Sequence, residues 1–257
     1  MSQQVKVYRQ IEFEGDADKS ANMKGNWNPK KVWFYDDFVG KAIDTANVYT
    51  FGTVNAGTAT VTVPHCLTLT SNAADNADNE FTMGLEWYGQ YNAVFEARFR
   101  NDDCANTGIN LGFTDSQNEA VDLIAMQVIN ANITSTASDA AVILIDGDAD
   151  AVNICGVSVK AGADGALIDS AVVAALAAAP KFYTGRVELR DNGTRTDALF
   201  YVNTSGNEID PEEDIIGVEM DAVTRTNALC PYIGQLNHQG AADTLNVDYI
   251  KVWQDRK

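Results

Sequence analysis

Two segments near opposite ends of the chain alternate apolar with polar side chains. Residues 35–40 read YDDFVG, and residues 247–253 read VDYIKVW. Successive side chains of a β-strand point to opposite faces, so this alternation is typical of strands with one buried face. Similar runs recur between the two segments, separated by turn-forming residues. The sequence therefore predicts an all-β domain whose first and last strands lie at the two ends of the chain.

A segment between them carries a more specific pattern. Residues 91–100 read YNAVFEARFR and resemble the central strand of concanavalin A-like proteins, with its pattern YG-x-FEAR. Together the three segments are similar to those of legume lectins, laminin-G modules and family 16 glycoside hydrolases. The resemblance implies an all-β fold, a concanavalin A-like antiparallel β-sandwich (jelly roll). That sandwich carries enzymes, lectins and virion proteins alike, so the fold does not decide the function.

The chain is organised as an arm followed by one domain. Residues 1–31 include a stretch rich in Gly, Asp, Asn and Lys that predicts an extended N-terminal arm. Residues 32–257 carry the recurring strand signals of a single sandwich. A length of 257 residues suits one large β domain of this kind.

Two local signals refine this organisation. Residues 164–179 read DGALIDSAVVAALAAA and predict one short helix, with Asp164 as its N-cap and Pro180 after its end. Asn192 and Gly193 lie between two alternating runs and predict a tight hairpin.

Charge is unevenly distributed along the chain. It holds 18 Lys and Arg against 36 Asp and Glu, a formal net charge of −18. Residues 1–31 hold six of those bases and four of those acids, a net of +2, which leaves −20 for the rest. Nucleic acid and anionic membrane surfaces both need a basic face, so neither is an expected partner. A basic arm ahead of an acidic domain indicates that the arm binds a partner, through Val5, Val7, Tyr8, Ile11, Phe13 and Trp27.

The sequence carries no targeting signal that we recognise. Its first residues, MSQQ, lead into a polar stretch without the apolar segment of a signal peptide. No run approaches the roughly 20 apolar residues of a membrane span. The four cysteines are widely spaced, which fits neither a zinc site nor a disulfide framework. We therefore expect synthesis and storage in a reducing cytoplasm, unless the protein leaves within a particle or by lysis.

The acids that a family 16 hydrolase needs are not found in the expected context. The family motif E-x-D-x-x-E places its carboxylates on one face of a strand. Residues 208–213, EIDPEE, match the spacing, but Pro211 is poorly suited to a central strand and the segment follows a turn. Where the family places its motif, only Glu119 and Asp122 are acidic, and their spacing sends them to opposite faces. We expect no catalytic residues and no enzyme activity.

One acidic segment offers ligands for a metal ion. Asp146, Asp148 and Asp150 alternate with small residues between two apolar runs, and such oxygen clusters suit Ca²⁺. The segment lacks the glycine and the terminal acid of an EF-hand loop. A hairpin tip rich in Asp and Gly explains the same residues. Apart from Ca²⁺ at this position, no cofactor is expected.

Aromatic residues offer a carbohydrate-binding surface. Sandwich proteins present aromatics on a concave face or loop rim to stack on sugar rings. The candidates are Trp87, Tyr88, Tyr91 and Trp253. Packing in the core is the competing explanation for Trp87 and Trp253, since both lie on predicted strands.

These features lead to three functional hypotheses. The first is a virion structural protein, either a bacteriophage capsid decoration protein or a tail-associated one, whose arm binds neighbouring subunits such as the major capsid protein. It implies a homo-oligomer in the particle and localisation to the virion after synthesis in the host cytoplasm. The second is a lectin-like module for a host or surface glycan. The third is a family 16-like hydrolase.

Overall fold

The computed structural model describes residues 31–39, 42–53, 56–62, 65–117, 124–149, 151–173 and 181–256. Within these ranges the chain forms β-strands and one short 3-10 turn, Gly89–Tyr91. The described residues contain no helix that is long and apolar enough to cross a membrane. The strands of the first half are Lys31–Asp36 (β1), Thr50–Thr53 (β2), Thr58–Thr62 (β3), Cys66–Thr70 (β4), Ala77–Thr82 (β5), Trp87–Tyr88 (β6), Val94–Asn101 (β7), Thr107–Thr114 (β8) and Met126–Ile129 (β9). Those of the second half are Asn132–Ser135 (β10), Ala140–Asp146 (β11), Asn153–Lys160 (β12), Ala163–Asp164 (β13), Ile168–Val173 (β14), Tyr183–Asp191 (β15), Thr196–Asn203 (β16), Ile215–Val223 (β17), Ala228–Asn237 (β18) and Thr244–Asp255 (β19).

Two antiparallel sheets form the sandwich. Sheet A has the order β17-β16-β15-β7-β19-β4-β3, and β1 pairs with the C-terminal half of β19. Sheet B has the order β13-β12-β11-β8-β18-β5-β2, with β14 added to β12 and β6 added to β18. Because β4 and β1 pair with opposite halves of the 12-residue β19, this one strand spans sheet A from end to end. The predicted all-β, jelly-roll sandwich is confirmed.

Alternating side chains of the two central strands form the core. Phe95 and Phe99 of β7 point inward, and so do Leu111 and Phe113 of β8. The rings of Phe95 and Phe113 meet at 6.1 Å between centroids in an edge-to-face arrangement. Burial of one such side chain stabilises the fold by about 1.5–3 kcal/mol. The intervening residues of each strand therefore point to the outer face of their sheet.

The first and last strands of the described chain pair with each other, but β1 lies at residues 31–36, so only two residues of the predicted segment 35–40 belong to it. Trp33 of β1 lies opposite Trp253 of β19 in the antiparallel register. Strand β1 ends at Asp36, whose carboxylate accepts hydrogen bonds from the Phe38 N–H at 2.8 Å and the Tyr49 hydroxyl at 2.7 Å. The hairpin predicted at Asn192-Gly193 is confirmed between β15 and β16.

The helix predicted at residues 164–179 is wrong for the part that the structure describes. Residues 168–173 form β14, which pairs with β12 at the edge of sheet B. Ile168 packs against the sandwich core, and the pairing supplies backbone hydrogen bonds that a helix would have made internally. Long-range packing therefore outweighs the local helix preference of the alanine-rich sequence. Residues 174–180 lie outside the described ranges, as do residues 1–30 of the arm.

The outer face of sheet B is covered by a hairpin. Strands β9 and β10 pair with each other and lie over the sheet, forming a second apolar cluster. Met126 and Val128 of β9 pack there against Val142, Leu144 and other buried residues. Without the hairpin, the outer face of sheet B would present an open groove. In the described part of the chain, the hairpin fills the centre of that groove.

Candidate functional site

The outer face of sheet A carries a buried ionic cluster. Glu96 of β7 is fully buried, and its carboxylate accepts hydrogen bonds from Arg186 Nε at 2.7 Å and from the Tyr249 hydroxyl at 2.9 Å. The Lys251 ammonium lies 3.1 Å from the same carboxylate. Burial alone would raise the pKa of Glu96, but Arg186 and Lys251 hold it below its ordinary value. These pairs join β7 to both neighbouring strands, β15 and β19.

An aromatic pair lies beside the ionic cluster. The indole rings of Trp33 and Trp253 stack at 5.0 Å between centroids, with 25° between their planes. The Arg186 guanidinium lies 5.6 Å from the centroid of Trp253. Both tryptophans are only half-buried, so Trp253 packs within the face and still reaches solvent.

Trp253 lines an open pocket of about 320 Å³ on this face. Val94 of β7 contributes an apolar wall. We call this cavity the Trp253 pocket. Its polar and aromatic lining comprises Lys31, Asn92, Glu188, Arg190, Asp191 and Trp253. The structure thus brings together residues from β1, β7, β15 and β19 and from the turn that precedes β7.

The acids of the Trp253 pocket are already engaged by cations. Glu188 accepts a hydrogen bond from Arg190 Nη2 at 2.8 Å and lies 3.4 Å from Arg186 Nη1. Asp191 accepts a hydrogen bond from Arg225 Nη2 at 2.8 Å. Arg225 lowers the pKa of Asp191 chiefly through this hydrogen bond. Both carboxylates are therefore held in fixed ion pairs rather than poised for proton transfer.

Asn92 fixes one wall of the Trp253 pocket. It has a left-handed backbone conformation, with φ of 54°, which asparagine tolerates better than most residues. Its amide donates to Asp255 Oδ2 at 2.7 Å and accepts from the Asp191 N–H at 2.9 Å. The predicted residue Tyr88 precedes the 3-10 turn and Tyr91 is its last residue, with their rings 5.4 Å apart. Both are half-buried and lie beside the pocket without lining it.

Trp87 must be corrected as a carbohydrate-binding candidate. Its side chain is 6% exposed and belongs to the core cluster between the sheets. The competing explanation, packing in the core, is correct for Trp87, because the two-residue strand β6 turns the indole inward against β18. Of the four predicted aromatics, Trp253 is the one that lines the pocket described above.

The predicted metal-binding segment forms an ion-paired cluster with a histidine. Asp146 Oδ1 lies 2.9 Å from His238 Nε2, and Asp148 Oδ2 lies 3.3 Å from His238 Nδ1. Burial opposes the charge on His238, but its hydrogen bond to Asp146 and the neighbouring carboxylates raise its pKa above the ordinary value. A protonated imidazole donates from both nitrogens, as this arrangement needs. Asp150 lies outside the described residues.

The donor set does not fit Ca²⁺. One possible ligand atom from each of Asp146, Asp148 and His238 lies within 4.8 Å of the others, but calcium takes oxygen ligands only, and a histidine nitrogen suits a transition metal better. Asp146 is 1% exposed, and its oxygens already accept hydrogen bonds from the N–H groups of Val128, at 2.8 Å, and Asp148, at 3.0 Å. Asp146 therefore acts as a structural acceptor at the end of β11.

The acidic motif at residues 208–213 lies in the loop before β17. Its acids Glu208, Glu212 and Glu213 are exposed, and Ile209 anchors the loop on Leu199 and Tyr201 of β16. The expectation that this segment is a loop is confirmed. Glu119 and Asp122 lie outside the described residues.

Solved structures with similar folds include lectins and glucanases. The carbohydrate recognition domain of Emp47p has a TM-score of 0.56 and 13% identity, covering 88% of this chain and 97% of that one. Peanut lectin has a TM-score of 0.50 and 10% identity, covering 89% and 99%. The catalytic domain of the endo-1,3-β-glucanase (laminarinase) from Thermotoga petrophila RKU-1 has a TM-score of 0.50 and 11% identity, covering 88% and 100%. No protein-family model and no curated protein matches the chain. At these identities the likeness establishes the fold.

The sequence could not reveal how the Trp253 pocket is assembled. Lys31, Asn92 and Arg190 are far apart along the chain, and nothing in their local patterns connects them. His238 was likewise missed as the partner of Asp146, since 92 residues separate the two. The FEAR pattern was the only sequence signal for the location of the Trp253 pocket, because it identifies β7, the strand at the centre of the outer face of sheet A.

Proposed function

We propose that this chain is a non-catalytic carbohydrate-binding protein whose ligand occupies the Trp253 pocket. The observation that carries the proposal is the pocket itself: an indole, an amide and charged groups around about 320 Å³ of open space. Small-ligand pockets are commonly of this size, with apolar walls and a few polar groups that fix orientation. The Emp47p domain and peanut lectin, two proteins of similar fold, are named for carbohydrate recognition or as a lectin.

The chemistry of the pocket suits a sugar ring. The C–H face of a pyranose packs against indole, since the ring is apolar on that side and the indole face is electron-rich. Trp33 covers part of Trp253, so the ligand would contact the remaining exposed surface. Asn92 and Arg190 would contact hydroxyl groups at the rim.

The absence of catalysis is supported by the state of the described carboxylates. On the outer face of sheet B, Glu80 and Asp146 are each 1% exposed, and Asp146 is hydrogen-bonded to the β9–β10 hairpin. The Tyr232 hydroxyl donates to Glu80 at 2.9 Å. In the Trp253 pocket, Glu188 and Asp191 are ion-paired. A glycosidase needs two accessible carboxyl groups on either side of the scissile bond, and neither described site offers them.

A glycan array followed by calorimetry tests the proposal. We expect saturable binding to a subset of glycans, and the Trp253→Ala protein should bind those glycans at least tenfold more weakly. Loss of an aromatic stacking partner weakens binding of a nucleic-acid base by about 1–3 kcal/mol, and we expect a similar loss for a sugar ring. Trp253→Phe should retain part of the affinity. Phe182→Ala is a matched control, because Phe182 is a half-buried aromatic against Arg98, at 4.2 Å from its guanidinium.

Two results would contradict this proposal. One is the absence of binding to any glycan by the folded wild-type protein. The other is equal binding by wild type and Trp253→Ala, which would move any carbohydrate site away from the pocket.

A virion structural protein is the second candidate function. It is favoured by the division of charge between residues 1–31 and the remainder, and by apolar side chains exposed on the edge strand β17. Val218 is 48% exposed and Met220 is 64% exposed. Exposed apolar side chains on an edge strand are suited to contact another protein. Co-sedimentation of this chain with nucleic-acid-filled particles, at many copies per particle, would support this role. Recovery only in the soluble fraction would exclude it.

A further inference from the structure

The Trp253 pocket is unusually rich in cations for so acidic a protein. Lys31 and Arg190 line it, and Arg186 and Arg225 lie immediately behind its acids. With Lys251 and Glu96, which Arg186 joins to this group, five cations surround four carboxylates, those of Glu96, Glu188, Asp191 and Asp255, for a local net charge of +1. Residues 32–257 carry a net charge of −20. Basic groups are therefore concentrated where the pocket opens.

The hydrogen-bonding capacity around the pocket is also unbalanced toward donors. The Arg190 side chain is 57% exposed, and it donates from Nε and Nη2 to Glu188 and from Nη2 to Tyr201. Within the described part of the chain, its Nη1 donates no hydrogen bond. The Lys31 ammonium lies 3.5 Å from its carboxylate partner in Asp255, a loose pair for a group with three donors.

The acceptors of the pocket are each already paired with cations or amides of the protein. Glu188 receives Arg186 and Arg190, while Asp191 receives two bonds from Arg225. Asp255 receives the Asn92 amide at 2.7 Å as well as Lys31. A ligand that supplies acceptors would thus complement the pocket better than a ligand that supplies hydroxyl donors alone.

We infer that the pocket selects an acidic saccharide, a sugar whose carboxylate is bound by Arg190 and Lys31 while its ring packs on Trp253. This inference rests on the proposed carbohydrate-binding function. Nε and Nη2 of the planar guanidinium are held by Glu188 and Tyr201, so the position of Nη1 is fixed and it can donate a directional hydrogen bond that a flexible ammonium does not offer. Arg190 therefore supplies specificity, and Lys31 adds charge. A sulfate ester offers similar anionic oxygens, so the test includes a sulfated sugar to distinguish binding of a sulfate from binding of a carboxylate.

The experiment compares matched sugars at 0.15 M salt, where the Debye length of about 8 Å screens long-range repulsion from the acidic body. Trigalacturonate is titrated beside its methyl ester, which keeps the ring and removes the charge, and a galactose-6-sulfate oligomer forms the third arm. An array of other uronate- and sialate-bearing glycans, each paired with its neutral analogue, covers differences in ring stereochemistry. We expect the carboxylate members to bind at least tenfold more tightly than both the neutral and the sulfated members.

Variants separate this inference from the function on which it rests. Arg190→Gln should weaken binding of the acidic sugar at least tenfold and binding of its neutral analogue by a clearly smaller factor, and Arg190→Lys should restore only part of the loss. Arg195→Gln is the matched control, with a similarly accessible side chain on the same hairpin.

Each remaining outcome has a definite meaning. Equal binding of neutral and acidic sugars that is lost in Trp253→Ala would overturn the acidic preference and leave the carbohydrate function standing. Preference for the sulfated arm would overturn the assignment to a carboxylate. Binding to none of the sugars would overturn both.

Discussion

At the scale of single residues, Glu96 shows how the outer face of sheet A is held together. Its carboxylate is 0% exposed, accepts hydrogen bonds from Arg186 and Tyr249, and forms an ion pair with Lys251. Within FEAR the sequence identifies Glu96 as part of a strand. Its partners could not be predicted, because Arg186 lies 90 residues away and only the sheet order brings β15 beside β7.

Glu96→Gln should destabilise the protein by about 3–5 kcal/mol, since removal of one partner leaves buried cations without their counter-charge. Urea unfolding at pH 7 measures this loss. The exposed Glu86→Gln protein serves as control and should differ from wild type by no more than about 0.5 kcal/mol.

The effect should also depend on pH. In the folded protein, burial opposes the charged form of Glu96, but Arg186 and Lys251 lower its pKa below the ordinary 4.5. Such a group stabilises the fold at pH values above 4.5, and this contribution disappears as the pH falls through the folded pKa. Wild type and Glu96→Gln should therefore converge in acid. A constant difference down to pH 2 would show that the charge of Glu96 is not the cause.

At the scale of elements, the β9–β10 hairpin covers the outer face of sheet B. The Asn110 side chain accepts from the Met126 N–H at 2.8 Å and donates to the Met126 carbonyl at 2.9 Å, while Asp146 accepts from the Val128 N–H. These side chains of sheet B thus pair with the hairpin backbone. Alternation in the sequence predicts strands, but it does not reveal that a pair of short strands will cover a sheet. Strand β14 is a second case that the local sequence does not predict. Its composition favours a helix, but it pairs with β12 as a strand.

Asn110→Ala should loosen the hairpin and spare the sandwich. It leaves one buried N–H and one buried carbonyl of Met126 without their partner, at a cost of about 2–4 kcal/mol. Hydrogen–deuterium exchange should accelerate across residues 126–135 and stay unchanged in β7 and β15. Asn132→Ala, at an exposed position of β10, is the control. Equal acceleration throughout the sandwich would mean that the hairpin and the sheets unfold as one unit.

At the scale of the whole molecule, the sequence predicts the architecture better than the site. The last strand, the central FEAR strand and the Asn-Gly hairpin depend on short-range patterns, and all three are confirmed, whereas the first strand lies at residues 31–36, ahead of most of the predicted segment 35–40. The Trp253 pocket depends on the sheet order, which places the start of β1, the end of β19 and the hairpin β15–β16 around one cavity. The same sheet order brings basic side chains together on the outer face of sheet A, although the chain as a whole is acidic.

The division between arm and domain yields the last prediction. Deletion of residues 1–30 keeps β1 and its six paired positions on β19, so the melting temperature should change by no more than about 2 °C. Deletion of residues 1–37 also removes Phe34 from the core, Trp33 from its stack on Trp253, and Asp36 from Tyr49. Loss of these half-buried aromatic contacts together with the β1 pairing should cost about 3–5 kcal/mol, which should lower the melting temperature by roughly 6–20 °C.

Thermal unfolding followed by tryptophan fluorescence measures both truncations against the full chain. A domain that keeps its stability without residues 1–30 leaves their apolar side chains for a partner, as the second candidate function needs. If the shorter deletion lowers the melting temperature as much as the longer one, then residues 1–30 stabilise their own domain. In that case the boundary after residue 31 is wrong, and the charge contrast no longer argues for an assembly role.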